Sequence, residues 1–303
     1  MAVKKVEAVI NGQTYTLTLN SATGKYEATI TAPAKSSYNQ SGHYYPVTVK
    51  ATDDAGNVRT VDDSDSSIGS FLQLKVKEKT APVGTITYPT ASAYIINNKP
   101  IFRFKITDDD SGVNPDTIGI TIDSGSKITG SAIVKTAVSG GYECTYTPDT
   151  ALSDGSHTIK IDASDNDGNA AVQKSVTFKI DTVPPTLSIT SPADGLVTNQ
   201  AACTVKGATN DATSSPVKVT VKLNSDSAES VTVGSDGGFS KVLTLTEGSN
   251  TITIVATDSA GKSTTVTRTV KLDTSAPVIK SVTLTPNPVD AGKTFVISVE
   301  ITD

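Results

Sequence analysis

Apolar and polar residues alternate along most of the chain. "PIFRFKIT" from Pro100, "HTIKIDAS" from His157, "VKVTVKLN" from Val217 and "NTITIVAT" from Asn250 place an apolar side chain at every second position. That period of two is the signature of strands with one buried face. No stretch shows convincing helical periodicity. The runs are short and bounded by Gly, Pro, Asn and Asp, as expected for many strands joined by tight turns.

The pattern repeats. "YYPVTVKATDDAGNV" from Tyr44, "HTIKIDASDNDGNAA" from His157 and "NTITIVATDSAGKST" from Asn250 each run a strand into Asp-x-x-Gly and then a second strand. The aspartates are Asp53, Asp165 and Asp258; Gly56, Gly168 and Gly261 follow three residues later. Linkers "KEKTAP", "DTVPP" and "DTSAP" close the repeats, and proline there ends strand pairing. Successive hairpins are about one hundred residues apart, the size of an immunoglobulin-like sandwich.

Residues 237–261, "GGFSKVLTLTEGSNTITIVATDSAG", resemble bacterial Ig-like domains. In that family a Gly-x-Phe strand leads to Leu-x-Glu-Gly-x-Asn and then to Ala-x-Asp-x-x-Gly. The match covers most of the third repeat, and the other two share its last hairpin and linker. Lys262 departs from the family's asparagine, which Asn57 and Asn169 keep. The resemblance implies an all-β fold of tandem immunoglobulin-like β-sandwiches. Such modules occur in surface adhesins, as accessory parts of extracellular enzymes and on phage virions, and the fold does not choose among these roles.

Residues 80–182 and 183–275 each hold a full set of strands. The ends do not. Residues 1–79 begin with a strand that matches the third strand of the other repeats, so they form an Ig-like domain lacking its first two strands. Residues 276–303 read as a first and second strand. The two ends are split half-domains that sum to one sandwich. In the tail, Val278, Val282 and Leu284 share one face, interrupted by Lys280, and Phe295, Ile297, Val299 and Ile301 share another without interruption. These are the expected donor strands for strand addition to the head. Three arrangements fit: a head-to-tail polymer, a ring in which the tail serves its own head, or an array cut between equivalent loops.

Composition narrows the chemistry. The 303 residues carry a formal net charge of −5 with no basic stripe, so nucleic acid is not an expected partner. No apolar run approaches the roughly 20 residues a membrane helix needs, so no insertion is expected. The N-terminus reads as a strand rather than a signal peptide. Cys144 and Cys203 fit buried free thiols better than a disulfide or zinc site. His43 and His157 lie at strand corners with no catalytic arrangement around them, and the chain reads as non-enzymatic. Tyr44, Tyr45 and Tyr94 are candidate sugar platforms, set against ordinary packing.

No cofactor is expected to be required. Calcium is the one candidate ion, at Asp108, Asp109 and Asp110 of "TDDDSG", Asp165 and Asp167 of "DNDGN", and the linker's Asp181. "DNDGN" is similar to half of an EF-hand loop without the distal Glu. Turn formation without metal explains the same residues. The expected function is a structural and interaction protein that self-assembles head to tail by donor-strand complementation. The leading setting is a phage or prophage virion fibre or decoration, made in the cytoplasm and contacting cell-surface or mucosal glycans or a host protein. The alternative is an exported bacterial surface adhesin or an accessory module of an extracellular enzyme.

Overall fold

The computed structural model describes residues 2–303 and is all-β. The chain forms two compact units, Met1–Ile180 and Asp181–Asp303.

The first unit opens with one six-stranded sheet. Its strands are β1 (Val3–Ile10), β2 (Gln13–Asn20), β3 (Lys25–Glu27), β4 (Tyr45–Asp53), β5 (Val58–Val61) and β6 (Gln73–Leu74), in the order β3-β2-β1-β4-β5 with β6 beside β4. Asn11 and Gly12 join β1 to β2 with φ of 49° and 74°. That left-handed pair matches the twist of the strands it connects. Among the described residues the head has no second sheet, and its buried apolar residues are Val6, Ala8 and Tyr45.

A complete sandwich follows in the same unit. It comprises β7 (Val83–Tyr88), β8 (Tyr94–Ile95), β9 (Phe102–Thr107), β10 (Gly119–Ile122), β11 (Val134–Val138), β12 (Gly141–Tyr146), β13 (Gly155–Asp162) and β14 (Lys174–Ile180). The sheets β10-β13-β14-β8 and β11-β12-β9-β7 close over Phe102, Phe104, Ile106, Ile120, Ile159 and Phe178.

The second unit repeats the plan with β15 (Thr186–Ser191), β16 (Leu196–Thr198), β17 (Ala202–Asn210), β18 (Lys218–Leu223), β19 (Glu229–Val231), β20 (Gly238–Thr244), β21 (Gly248–Thr257) and β22 (Ser263–Leu272). Its sheets are β15-β17-β20 and β16-β22-β21-β18-β19. The core is lighter, built on Val205, Val219, Val221, Ile252, Ile254 and Val270. Gly207 replaces a bulky inward residue there because the Phe239 ring fills the space: a Cβ on Gly207 would lie 2.7 Å from Phe239 Cζ.

The chain ends in a separate hairpin of β23 (Val278–Thr285) and β24 (Val296–Thr302). The register corrects one expectation from the sequence. Ile279 stands opposite Ile301, the pairing then slips past Lys280, and Val282 and Leu284 stand opposite Val299 and Ile297. The slip re-aims the strand by one residue. Ile279, not Val278, therefore shares the apolar face, and Val278 pairs with Thr302. Phe295 sits one residue before β24.

Candidate functional site

Two features stand out from the packing. The first is the tail hairpin. Val278 faces Thr302 as Val83 faces Thr107 and Thr186 faces Asn210, so β23 and β24 correspond to the first two long strands of each intact sandwich. Counting from those pairs, Ile297, Val299 and Ile301 take the places of Phe102, Phe104 and Ile106. Those three are at most 1% exposed, whereas Ile297, Val299 and Ile301 are 59%, 46% and 56% exposed. Val278, Val282, Leu284 and Phe295 are exposed as well.

The head shows the opposite deficit. Val47 and Val49 lie six and four residues before the hairpin aspartate Asp53, as Ile159 and Ile161 do before Asp165 and Ile252 and Ile254 before Asp258. The isoleucines are buried beneath a facing sheet. Val47 and Val49 are only half-buried, because among the described residues no strands corresponding to β7 and β9 cover them.

The second feature is a pair of carboxylate triads. Glu78, Asp108 and Asp165 each place an oxygen within 4.8 Å of the others, and so do Asp181, Asp211 and Asp258. The two sets are equivalent. Glu78 and Asp181 come from the linkers, Asp108 and Asp211 from the loop after the second long strand, and Asp165 and Asp258 from the last hairpin. Glu78 precedes Asp108 by thirty residues, the same spacing as Asp181 to Asp211. Asp108, Asp165, Asp181, Asp211 and Asp258 are all buried.

Each hairpin and loop carboxylate uses one oxygen to hold its own turn. Asp108 Oδ1 accepts the amides of Asp110 at 3.0 Å and Gly112 at 2.9 Å. Asp211 Oδ1 accepts those of Thr213 at 2.8 Å and Ser214 at 2.7 Å. Asp165 and Asp258 accept the amides of Asn169 and Lys262 in the same way, both at 2.8 Å. Hydroxyls reach the linker acids: Ser111 donates to Glu78 Oε1 at 3.1 Å, and Ser214 donates to Asp181 Oδ2. In the first triad Asn169 Nδ2 also satisfies Asp165 Oδ2. In the second, Asp258 Oδ2 is buried with no partner. Burial and the adjacent Asp165 carboxyl push Glu78 above the ordinary carboxylate range. Burial also pushes Asp165 upward, but the bonds from Asn169, Glu78 and the Gly168 amide together outweigh it and the net direction is down. One carboxyl of that pair sits against the other, an arrangement that needs a proton or a cation between them.

Of the acids singled out in the sequence, Asp108 and Asp165 meet in one triad and Asp181 enters the other. Asp109 is exposed. Asp110 accepts the Ser36 amide at 3.0 Å, and Asp167 accepts the Glu78 amide at 3.0 Å, so these two tie the head to the following sandwich. Glu78 and Asp211 were not picked out by sequence reasoning. Their shared thirty-residue spacing from linker to loop was the available signal.

The remaining reactive side chains are tied into the fold. His157 is buried, with Nδ1 2.8 Å from Asp123 Oδ2 and Nε2 2.8 Å from the Ser153 carbonyl. Asn250 and Tyr45 take the same corner in the other repeats and likewise bond loop backbone: Asn250 donates to the Thr246 carbonyl at 2.7 Å and Tyr45 to that of Lys35 at 3.2 Å. Cys144 and Cys203 are free and buried, and burial pushes the Cys144 thiol up to about 11. Tyr44 donates to Asp63 Oδ2 at 2.7 Å, and Lys179 Nζ lies 5.3 Å from the Tyr94 ring centre. Among the described residues no helix is long and apolar enough to cross a membrane.

Residues 90–182 match the family model "Bacterial Ig-like domain", and residues 185–274 match "Glucodextranase, domain B". Over 215 residues, 71% of its length, the chain is 30% identical to Bacillopeptidase F of Bacillus subtilis (strain 168). It spans only 14% of that relative. Among solved structures, titin domains I67–I69 align with 89% of this chain and 88% of theirs at 14% identity and a TM-score of 0.42. A tetra-tandem repeat from the extending region of a large adhesion protein aligns with 98% of this chain and 79% of its own at 19% identity and a TM-score of 0.32.

Proposed function

We propose that this chain, an array of bacterial Ig-like repeats, is a non-catalytic structural and interaction segment of an exported bacterial protein, displayed at the cell surface or joined to an extracellular enzyme. Its working surface is the tail hairpin, which completes a head half-sandwich by strand addition. The similarity to part of a Bacillus peptidase favours this setting over a virion fibre.

The observation that carries the reading is complementary exposure. The tail displays Ile297, Val299 and Ile301 at positions that are core elsewhere, and the head leaves Val47 and Val49 half-covered where a facing sheet belongs. Fully burying three such tail side chains stabilises by roughly 5–9 kcal/mol. Backbone pairing along the head's open edge adds direction and register. The partner is the head of a second copy; glycans or proteins of a host surface are a further class of partner for the outer faces.

Light scattering across a concentration series, on the full chain and on a chain lacking 276–303, tests this. Association that the deletion abolishes is expected. A monomer at every concentration whose melting is untouched by the deletion would overturn strand addition. A monomer whose head melts earlier after the deletion would mean that each tail serves its own head, and would overturn the choice of a second copy as partner.

A further inference from the structure

We infer that a cleft between the head and the second sandwich, lined by Tyr38, Gln40, His43, Val138, Tyr142 and Asn166, binds a neutral, gluco-configured saccharide. The inference gives a place to the glycan partner of the proposed function and rests on that part of it; it does not need strand addition. Both sides of the cleft belong to the first compact unit.

Two short 3₁₀ turns, Ser37–Asn39 and Ser41–His43, form the head's side. Gly42 and His43 are both left-handed, with φ of 73° and 60°. A side chain larger than glycine is uncommon there. The reversal brings the His43 ring back onto Tyr38. The ring centres are 4.1 Å apart, the planes lie 21° from parallel, and His43 Nδ1 is 2.5 Å from the Tyr38 carbonyl oxygen. Backbone strain of this kind gathers at ligand sites. Here it holds two exposed aromatic rings as one stacked unit. Packing does not account for the stack, because Tyr38 is still 36% exposed. The head is joined to the sandwich beside it, where Asn39 Nδ2 donates to the Asp110 carbonyl.

The sandwich supplies the other side. Val138 and Tyr142 come from the β11–β12 hairpin, and Asn166 from the hairpin that follows β13. Asn166 is fixed by its Nδ2, which donates to the carbonyls of Ser111 at 2.8 Å and Gly112 at 3.1 Å. The cleft holds about 600 Å³. Small-molecule sites span about 300–1,000 Å³.

The lining selects the ligand. Charged residues make up 19% of the chain, yet none of the described residues lining the cleft is Lys, Arg, Asp or Glu. A phosphate or uronate would find no cationic partner, and an amine no carboxylate. What the cleft offers is aromatic rings, amides and hydroxyls. The Gln40 amide and the Tyr38 and Tyr142 hydroxyls have no hydrogen-bond partner among the described residues. A gluco-configured ring fits this set. Its hydroxyls lie equatorially around the rim, where amides and phenols reach them. Its two faces are C–H surfaces that stack on an aromatic ring.

Isothermal titration of the full chain with cellotriose and with chitotriose tests the inference, with trigalacturonate as the anionic counterpart. Saturable binding of a neutral trisaccharide and none of trigalacturonate is expected. Tyr38→Ala removes the exposed ring and should weaken binding about tenfold. Tyr142→Phe removes only a hydroxyl and should weaken it about fivefold. Melting followed by circular dichroism should be the same for parent and variants; Gln40→Ala replaces any variant that melts early. No heat from either neutral trisaccharide up to about 10 mM, ten times a dissociation constant of about 1 mM, overturns the site. Trigalacturonate binding as tightly as the neutral sugars overturns the ligand class. Neutral-sugar binding unchanged in both variants also overturns the site, while leaving a glycan partner elsewhere on the chain. Light scattering keeps strand addition separate, since Tyr38→Ala should leave self-association unchanged.

Discussion

Asn169 donates its side-chain amide to Asp165 Oδ2 at 2.7 Å. Lys262 occupies the corresponding position beside Asp258 and leaves Oδ2 without a donor. Lys262→Asn should restore that bond. It should stabilise the third sandwich by about 1 kcal/mol, read as a higher Tm by calorimetry. An unchanged or lower Tm would show that Asp258 Oδ2 is satisfied by other means in solution.

The tail hairpin gives a prediction that separates association from stability. Ile297→Asp places a charge on the apolar face of β24. Because Ile297 is 59% exposed, the monomer should change by less than about 0.5 kcal/mol. Association should vanish in sedimentation or light scattering. Equal association by variant and parent would remove the hairpin from the contact.

Gly207 is a packing requirement rather than a turn. A Cβ there would sit 2.4 Å from the Ser188 carbonyl and 2.7 Å from the Phe239 ring. Gly207→Ala should destabilise the third sandwich by about 1–3 kcal/mol. Denaturant titration followed by circular dichroism measures it, and a neutral result would mean that β15 and β17 can part at little cost.

Cys144 should be inert. With its thiol pushed up to about 11 by burial, about one molecule in a thousand carries the reactive thiolate at pH 8. A chromogenic disulfide reagent should label it slowly in the native protein and fully in denaturant. Rapid native labelling would show that the second sandwich opens readily.

Much of this protein is legible along the chain. Alternation at 100–107 and 157–162 specifies strands because a strand's side chains switch faces at every residue. The Asp-x-x-Gly hairpins at Asp53, Asp165 and Asp258 carry their own turn chemistry. What the one-dimensional pattern does not carry is anything set by a neighbouring strand or loop. Ile279 replaces Val278 on the apolar face because the partner strand slips past Lys280. Gly207 is forced by a ring from β20. The triads join residues separated by thirty residues and by about fifty more, and only folding brings a linker, a loop and a hairpin to the same end of a sandwich. Local spacing determines which residues form strands and turns; distances between carboxylates depend on how the sheets stack, and that is decided in three dimensions.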